Sequence, residues 1–319
     1  MILDIVCIIA GVALVLWGAD LLTEGASSLA RRMKIPEIVI GLTIVAAGTS
    51  APEFFVSFVS ALKGTPDLAV GNVVGSNIFN TMLIVGVSAM VAPMVIARTT
   101  VTKDIPFAVC ASFIVFMLCM DGFSSSGMSG KMIGRTDGLI LLAGFAVFMG
   151  YTLKTVKKSK EHDTSDIQEG MKVWKGILFL CTGLGCLIVG SNVFVGSATE
   201  LASSLGVSEG VIGLTVVAGG TSLPELATSV VAARKGRSAI AIGNVIGSNV
   251  FNLFGILGVT AVICPMRING ITVVDMLVLL LSILFVWLFS FTKYTLARWE
   301  GAVLTVGFFV YLGWLLYNI

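Results

Sequence analysis

The chain reads as ten apolar runs divided by short polar breaks, near residues 3 to 22, 37 to 61, 68 to 92, 104 to 120, 137 to 154, 174 to 196, 209 to 233, 239 to 264, 272 to 291 and 301 to 318. Each is close to or above the about 20 residues that carry a helix across a hydrocarbon core. Lipid offers no partner to a free backbone N–H or C=O, so the runs are predicted to be helices. Polar residues inside them then need an explanation. "GTSAPEFFVS" at residues 48 to 57 sets a proline and a carboxylate in the middle of one run, and "GTSLPELATS" at residues 220 to 229 does so again.

The repetition extends well beyond these ten residues. A shift of 172 positions lays residues 41 to 94 over 213 to 266 without a gap, and 30 of the 54 pairs are identical. The chain is therefore a duplication. It is read as a first five-helix repeat over 1–155, a cytoplasmic linker over 156–173 and a second five-helix repeat over 174–319. An odd number of spans per unit inverts one half relative to the other, so the predicted class is an all-α polytopic membrane protein with ten transmembrane helices in two inverted repeats.

Within each repeat the proline has a physical reading. Pro52 has no N–H, so the Gly48 carbonyl is expected to lose its helical partner, and Gly220 with Pro224 repeats the arrangement. A freed carbonyl at membrane depth suits a hydrated cavity or a hard cation. Glu53 and Glu225 bring negative charge to the same turns, with Thr49, Ser50 and Ser57, and Thr221, Ser222 and Ser229, on their faces. The next run of each repeat carries a stripe at four-residue spacing, Asn72, Ser76 and Asn80 in one and Asn244, Ser248 and Asn252 in the other. These stripes serve either as ion ligands or as interhelical hydrogen bonds. A carboxylate duplicated at membrane depth is a functional feature rather than a packing accident.

Composition agrees with the pattern, at 56% hydrophobic and 12% charged residues with a mean hydropathy of +1.01. Sixteen of the twenty basic residues fall in alternate connections, among them Arg31, Arg32, Lys34, Lys172, Lys175, Arg234, Lys235 and Arg237. That side is expected to be cytoplasmic, which leaves both termini outside a plasma membrane. Basic charge here marks topology, so no nucleic acid is expected, and lipid is the expected surrounding with no obligatory protein partner. The first run has no basic segment ahead of it and is expected to be retained rather than cleaved. Asp20, Asp104, Asp121, Asp137 and Asp275 are read as solvated span ends. The six cysteines, at 7, 110, 119, 181, 186 and 264, have no metal-type spacing and are read as buried free thiols. His162 is the sole histidine and lies in a charged loop, so no histidine relay is available. No enzyme chemistry and no cofactor are indicated.

"GTSAPE" with "GNVVGSNIFN", repeated as "GTSLPE" with "GNVIGSNVFN", resembles the paired alpha-repeats of the cation/Ca²⁺ exchanger superfamily, in particular its sodium/calcium exchanger branch of prokaryotic type. The resemblance implies a secondary antiporter exchanging Na⁺ for Ca²⁺ by alternating access, with the first and sixth helices as the sliding pair. Carried over position by position, it implies as ion ligands the carboxylates of Glu53 and Glu225, the oxygens of Thr49, Ser50, Thr221 and Ser222, and the hydroxyls of Ser76 and Ser248. The side chains of Asn80 and Asn252 and the carbonyls of Ala46 and Ala218 complete the set.

Many relatives have Asp where this chain has Asn252, so the expected site holds two carboxylates rather than three. Exchange is accordingly expected to be independent of K⁺, and the three-to-one Na⁺ to Ca²⁺ ratio that the resemblance implies would make it electrogenic. One Ca²⁺ neutralises the two glutamates, several Na⁺ do the same, and both loads together repel. A Ca²⁺/H⁺ antiporter on the same scaffold is the alternative.

Overall fold

A computed structural model of the chain describes residues 2–120, 132–162, 171–205, 218–268 and 270–317, without the side chains of 156–162 and Ala218. Its helices are α1 Ile2–Met33, α2 Glu37–Thr49, α3 Ala51–Leu62, α4 Pro66–Val91, α5 Thr100–Cys119, α6 Arg135–His162, α7 Val173–Ser204, α8 Ala218–Thr221, α9 Leu223–Arg234, α10 Ser238–Ile263, α11 Val273–Ser290 and α12 Arg298–Tyr317. Among the described residues eight of these are long and apolar enough to cross a membrane, and α2 with α3 makes a ninth, bent by 48°. The expected span at 209–233 begins outside the described residues and is represented by α8 and α9. Of the expected linker, residues 163–170 also lie outside them, while 156–162 continue α6 as far as His162. Two short antiparallel ladders, Met94↔Leu296 and Met132↔Arg267, tie inter-helix connections together.

The duplication is visible in the elements themselves. α4 is α-helical over Pro66–Ile78, widens to a π-helical stretch over Phe79–Ile84 and closes as α-helix to Val91. α10 repeats this over Ser238–Val250, Phe251–Ile256 and Leu257–Ile263, each boundary 172 residues on. Their last turns pack through equivalent glycines: a methyl on Gly86 would meet the Gly301 carbonyl of α12 at 2.8 Å, and one on Gly258 the Leu142 side chain of α6 at 2.9 Å.

α1 and α7 lie antiparallel with their backbones almost touching. A methyl on Gly11 would stand 2.9 Å from the Gly190 carbonyl, one on Gly18 2.8 Å from that of Gly183, and one on Gly25 2.8 Å from that of Gly176. Glycine at seven-residue spacing on both helices permits this approach, the usual membrane substitute for a hydrophobic seam.

The distribution of polarity is that of a protein in lipid. Outward faces carry Ile9, Trp17, Phe55, Val147, Val306 and Val310, all more than half exposed. Inside lie Glu53, Glu225, Ser222, Asn244 and Asn252, each at 1% exposure or less.

Several expectations are corrected here. α1 continues 11 residues past the expected end at 22, to Met33, because Asp20 and Glu24 do not stop it: Lys235 reaches Asp20 at 2.6 Å and Glu24 at 3.7 Å. Asp275 is not a solvated span end. It is buried, caps α11 by accepting from Thr272 N at 2.8 Å, and accepts from the Tyr311 hydroxyl at 2.7 Å. Asp104 is buried as well, in the first, π-helical turn of α5, while Asp121 lies outside the described residues. Of the six cysteines expected to be buried, Cys119 alone is, and Cys110 and Cys181 are exposed on the apolar surface.

Candidate ion-binding site

α2 ends at Thr49, Ser50 takes a non-helical conformation (φ −82°, ψ 8°), and α3 starts at Ala51 with Pro52 in its first turn. Ser222 (φ −91°, ψ 7°) and Pro224 place the same break between α8 and α9. Proline at a helix start needs no N–H and its fixed φ suits the first turn, so the residue that interrupts one helix begins the next. Glu53 and Glu225 thereby stand in the first turns of α3 and α9, at the N-terminal ends of those helices.

The two breaks face each other. Ser50 Oγ donates to Glu225 Oε1 at 2.8 Å, and Ser222 Oγ donates to Glu53 Oε1 at 2.9 Å. Ser76 of α4 joins them, its hydroxyl 3.3 Å from Ser222 Oγ. Thr49 Oγ1 lies 3.1 Å from Asn244 Oδ1 of α10, to which it donates. Thus Glu53, Glu225, Ser50, Ser222, Thr49 and Ser76, drawn from both repeats, come together in one buried cluster.

Asn72 and Asn244, whose role the residues leave open, hold the breaks in place. Asn72 Nδ2 donates to the Glu53 carbonyl at 3.2 Å and to Ser57 Oγ at 2.9 Å. Asn244 Nδ2 does the same to the Glu225 carbonyl at 3.4 Å and to Ser229 Oγ at 3.0 Å. Each amide spans one turn of the neighbouring helix and fixes the height of its glutamate.

The backbone carbonyls differ from expectation. An amide of the break donates to the Gly48 carbonyl, so that carbonyl has a partner. The Gly220 carbonyl accepts from Ser191 Oγ of α7 at 2.6 Å. Ala19 occupies the position 172 residues earlier, so this bond belongs to the second break alone. The Ala46 carbonyl accepts from Ser50 N at 3.0 Å and lies 3.3 Å from Thr49 Oγ1, while Ala218 opens α8. Thr221 ends α8, partly buried, and lines a cavity of about 380 Å³ with Pro52, Phe55, Ser191, Asn192 and Gly220.

Five of the side-chain oxygens expected as ion ligands are buried with no hydrogen-bond partner among the described residues: Glu53 Oε2, Glu225 Oε2, Ser248 Oγ, Asn80 Oδ1 and Asn252 Oδ1. They come from both repeats, and two are carboxylate oxygens, which only accept. Among the described residues neither glutamate pairs with a lysine or arginine; the ion pairs there involve Lys235 and Arg237 instead. Buried carboxylates without a cationic partner are costly, and a hard cation taking oxygen ligands resolves both deficits together. The donor set contains neither sulfur nor imidazole, so it fits Ca²⁺ or Na⁺ rather than a soft metal.

Known proteins share this architecture. Inner membrane protein YrbG of Escherichia coli (strain K12) is 34% identical over 325 residues, spanning 99% of this chain and 97% of that protein. Sodium/calcium exchanger MaX1 of Methanosarcina acetivorans is 30% identical over 344 residues, spanning 97% of each. The structure of the sodium-calcium exchanger NCX_Mj, soaked with 2.5 mM Na⁺ and 0.1 mM Ca²⁺, superposes with a TM-score of 0.82 at 30% identity, covering 98% of each chain. The family model for sodium/calcium exchanger protein matches residues 3–154 and 175–317. The chain belongs to the sodium/calcium exchanger protein family.

Proposed function

We propose that the chain exchanges Na⁺ for Ca²⁺ across the plasma membrane by alternating access, without K⁺ and with net movement of charge. Members of its family are transporters and not enzymes, and they need no cofactor. The observation that carries the reading is the pair of buried glutamates, each hydrogen-bonded by the opposite repeat and neither matched by a basic side chain among the described residues.

The ligands proposed are the carboxylates of Glu53 and Glu225, the side-chain oxygens of Thr49, Ser50, Thr221, Ser222, Ser76, Ser248, Asn80 and Asn252, and the carbonyls of Ala46 and Ala218. Two negative charges balance one Ca²⁺. Na⁺ ions sharing the same oxygens balance them too, and mutual repulsion in a low-dielectric cavity makes the two loads exclusive. A Na⁺ load above two per Ca²⁺ makes the cycle electrogenic.

Ten helices in two inverted repeats, joined by the linker at 156–173, complete the proposal. The antiparallel course of the equivalent helices α1 and α7 supports inversion. Alternating access is supported by unequal packing of equivalent positions. Gly243 and Gly247 are buried against α2, where methyls would stand 2.8 Å from the Ile38 carbonyl and 2.6 Å from that of Leu42. Gly75, the counterpart of Gly247, is exposed. Two packings of one repeated surface are what exchange between two access states requires. The basic connections support both termini lying outside. Ca²⁺ uptake into vesicles loaded with Na⁺, K⁺ or acid tests the assignment and separates it from Ca²⁺/H⁺ antiport.

A further inference from the structure

Four buried asparagines stand where α4 and α10 cross the centre of the molecule: Asn77 and Asn80 in one, Asn249 and Asn252, 172 residues on, in the other. Asn80 Nδ2 donates to Asn249 Oδ1 at 3.2 Å, while Asn80 Oδ1 is left without a donor. A carboxamide is planar, so anchoring its nitrogen fixes where its oxygen points. We propose that Asn249 is a positioning residue, which turns the Asn80 carboxamide so that its carbonyl oxygen, and not its amino group, meets the transported Ca²⁺. The inference rests on the ion-site reading above.

The orientation matters because the two ends of an amide are electrically opposite. The oxygen is a good ligand for a hard cation, and the NH₂ group only donates and repels it. Without Asn249, Nδ2 loses the acceptor that, among the described residues, sets which way this buried amide is turned. Asn249 itself need not touch the ion. The equivalent pair is open here: Asn77 Oδ1 and both polar atoms of Asn252 have no partner among the described residues. The Asn80–Asn249 bond is therefore a property of one half of the site and not a symmetric packing contact.

A double-mutant cycle tests this, read as equilibrium Ca²⁺ binding to the purified protein in Na⁺-free buffer, by calorimetry. Asn249→Ala is expected to weaken Ca²⁺ binding about tenfold, the loss of one oriented ligand. In an Asn80→Asp background the same replacement is expected to change binding less than about twofold, because a carboxylate offers oxygen at either setting. Should Asn249→Ala fail to fold, Asn249→Ser, too short to reach Asn80, is read in the same way. Unchanged Ca²⁺ binding in the single variant overturns the proposal, as does an equal loss in both backgrounds, which marks a structural role. Glu53→Gln separates the levels: if it binds Ca²⁺ like the wild type, the ion-site reading itself fails. If it loses Ca²⁺ and Asn249→Ala does not, only the orientation is refuted.

Discussion

Ser50 donates its hydroxyl to Glu225 Oε1 at 2.8 Å, across 175 residues of sequence, and Ser222 returns the same bond to Glu53 at 2.9 Å. The two repeats thus hold each other's carboxylate, leaving one oxygen of each glutamate without a donor among the described residues. Ser50→Ala and Ser222→Ala are expected to raise the Ca²⁺ concentration for half-maximal uptake by about three- to tenfold each, the value of one charge-assisted hydrogen bond. Because the bonds are equivalent, the two variants should agree within about twofold. Uptake curves for both check this, and an effect in one variant only would show that the crossed pair is not a functional unit.

Glu53→Gln and Glu225→Gln keep shape and remove a charge. Each leaves a divalent ion facing a single carboxylate, and Ca²⁺ transport is expected to fall by about a hundredfold or more in protein that still elutes as a folded species. Wild-type flux in either folded variant refutes the ligand assignment.

The seam between α1 and α7 has no room for a side chain. A methyl on Gly183 would lie 2.6 Å from Leu22 N and 2.8 Å from the Gly18 carbonyl, both backbone atoms that cannot yield without moving the helix. Gly183→Ala is expected to cost about 1–3 kcal/mol of stability. Gly185, two residues away on the exposed face with nothing within 4 Å, is expected to accept alanine without loss or with a small gain. Thermal unfolding of the solubilised variants distinguishes the two, and equal curves would contradict the packing.

Asn252 is buried with neither amide atom partnered among the described residues. On the proposed site, Asn252→Asp adds a third carboxylate to those of Glu53 and Glu225, and such a cluster relieves its repulsion by holding a proton or a monovalent cation. The variant is therefore expected to become more sensitive than the wild type to pH between about 6 and 8, or to gain a dependence on K⁺ that the wild type lacks. Flux measured across that range with and without K⁺ decides it. Identical behaviour of the two proteins would place residue 252 away from the ions.

Much of the site was legible because the duplication prints its chemistry twice. The offset of 172 paired Glu53 with Glu225 and Ser76 with Ser248, and the helix boundaries of α4 and α10 follow it. Bonds joining the repeats were not legible, since the spacing of Ser50 from Glu225 along the chain says nothing of their approach in space. Ser191 has no signal in the repetition because its counterpart is Ala19. Asn77 and Asn249 were printed in both copies of "GSN" but stand off the four-residue stripe of Ser76 and Asn80. The π-helical stretches shift that stripe, and no local sequence rule announced them. Asp20 likewise reads as a span end because its partner, Lys235, comes from another helix, and sequence alone would place an unpaired charge in water.

The central claim is tested most directly by Ca²⁺ uptake into proteoliposomes holding the purified chain, loaded with Na⁺ and diluted into Na⁺-free medium. The account predicts rapid uptake from Na⁺-loaded vesicles, the same rate with K⁺ or choline as the companion cation, stimulation by an inside-positive potential, and none of this uptake in Glu53→Gln. Uptake driven by an acid interior but not by Na⁺, or uptake that fails without K⁺, would contradict it.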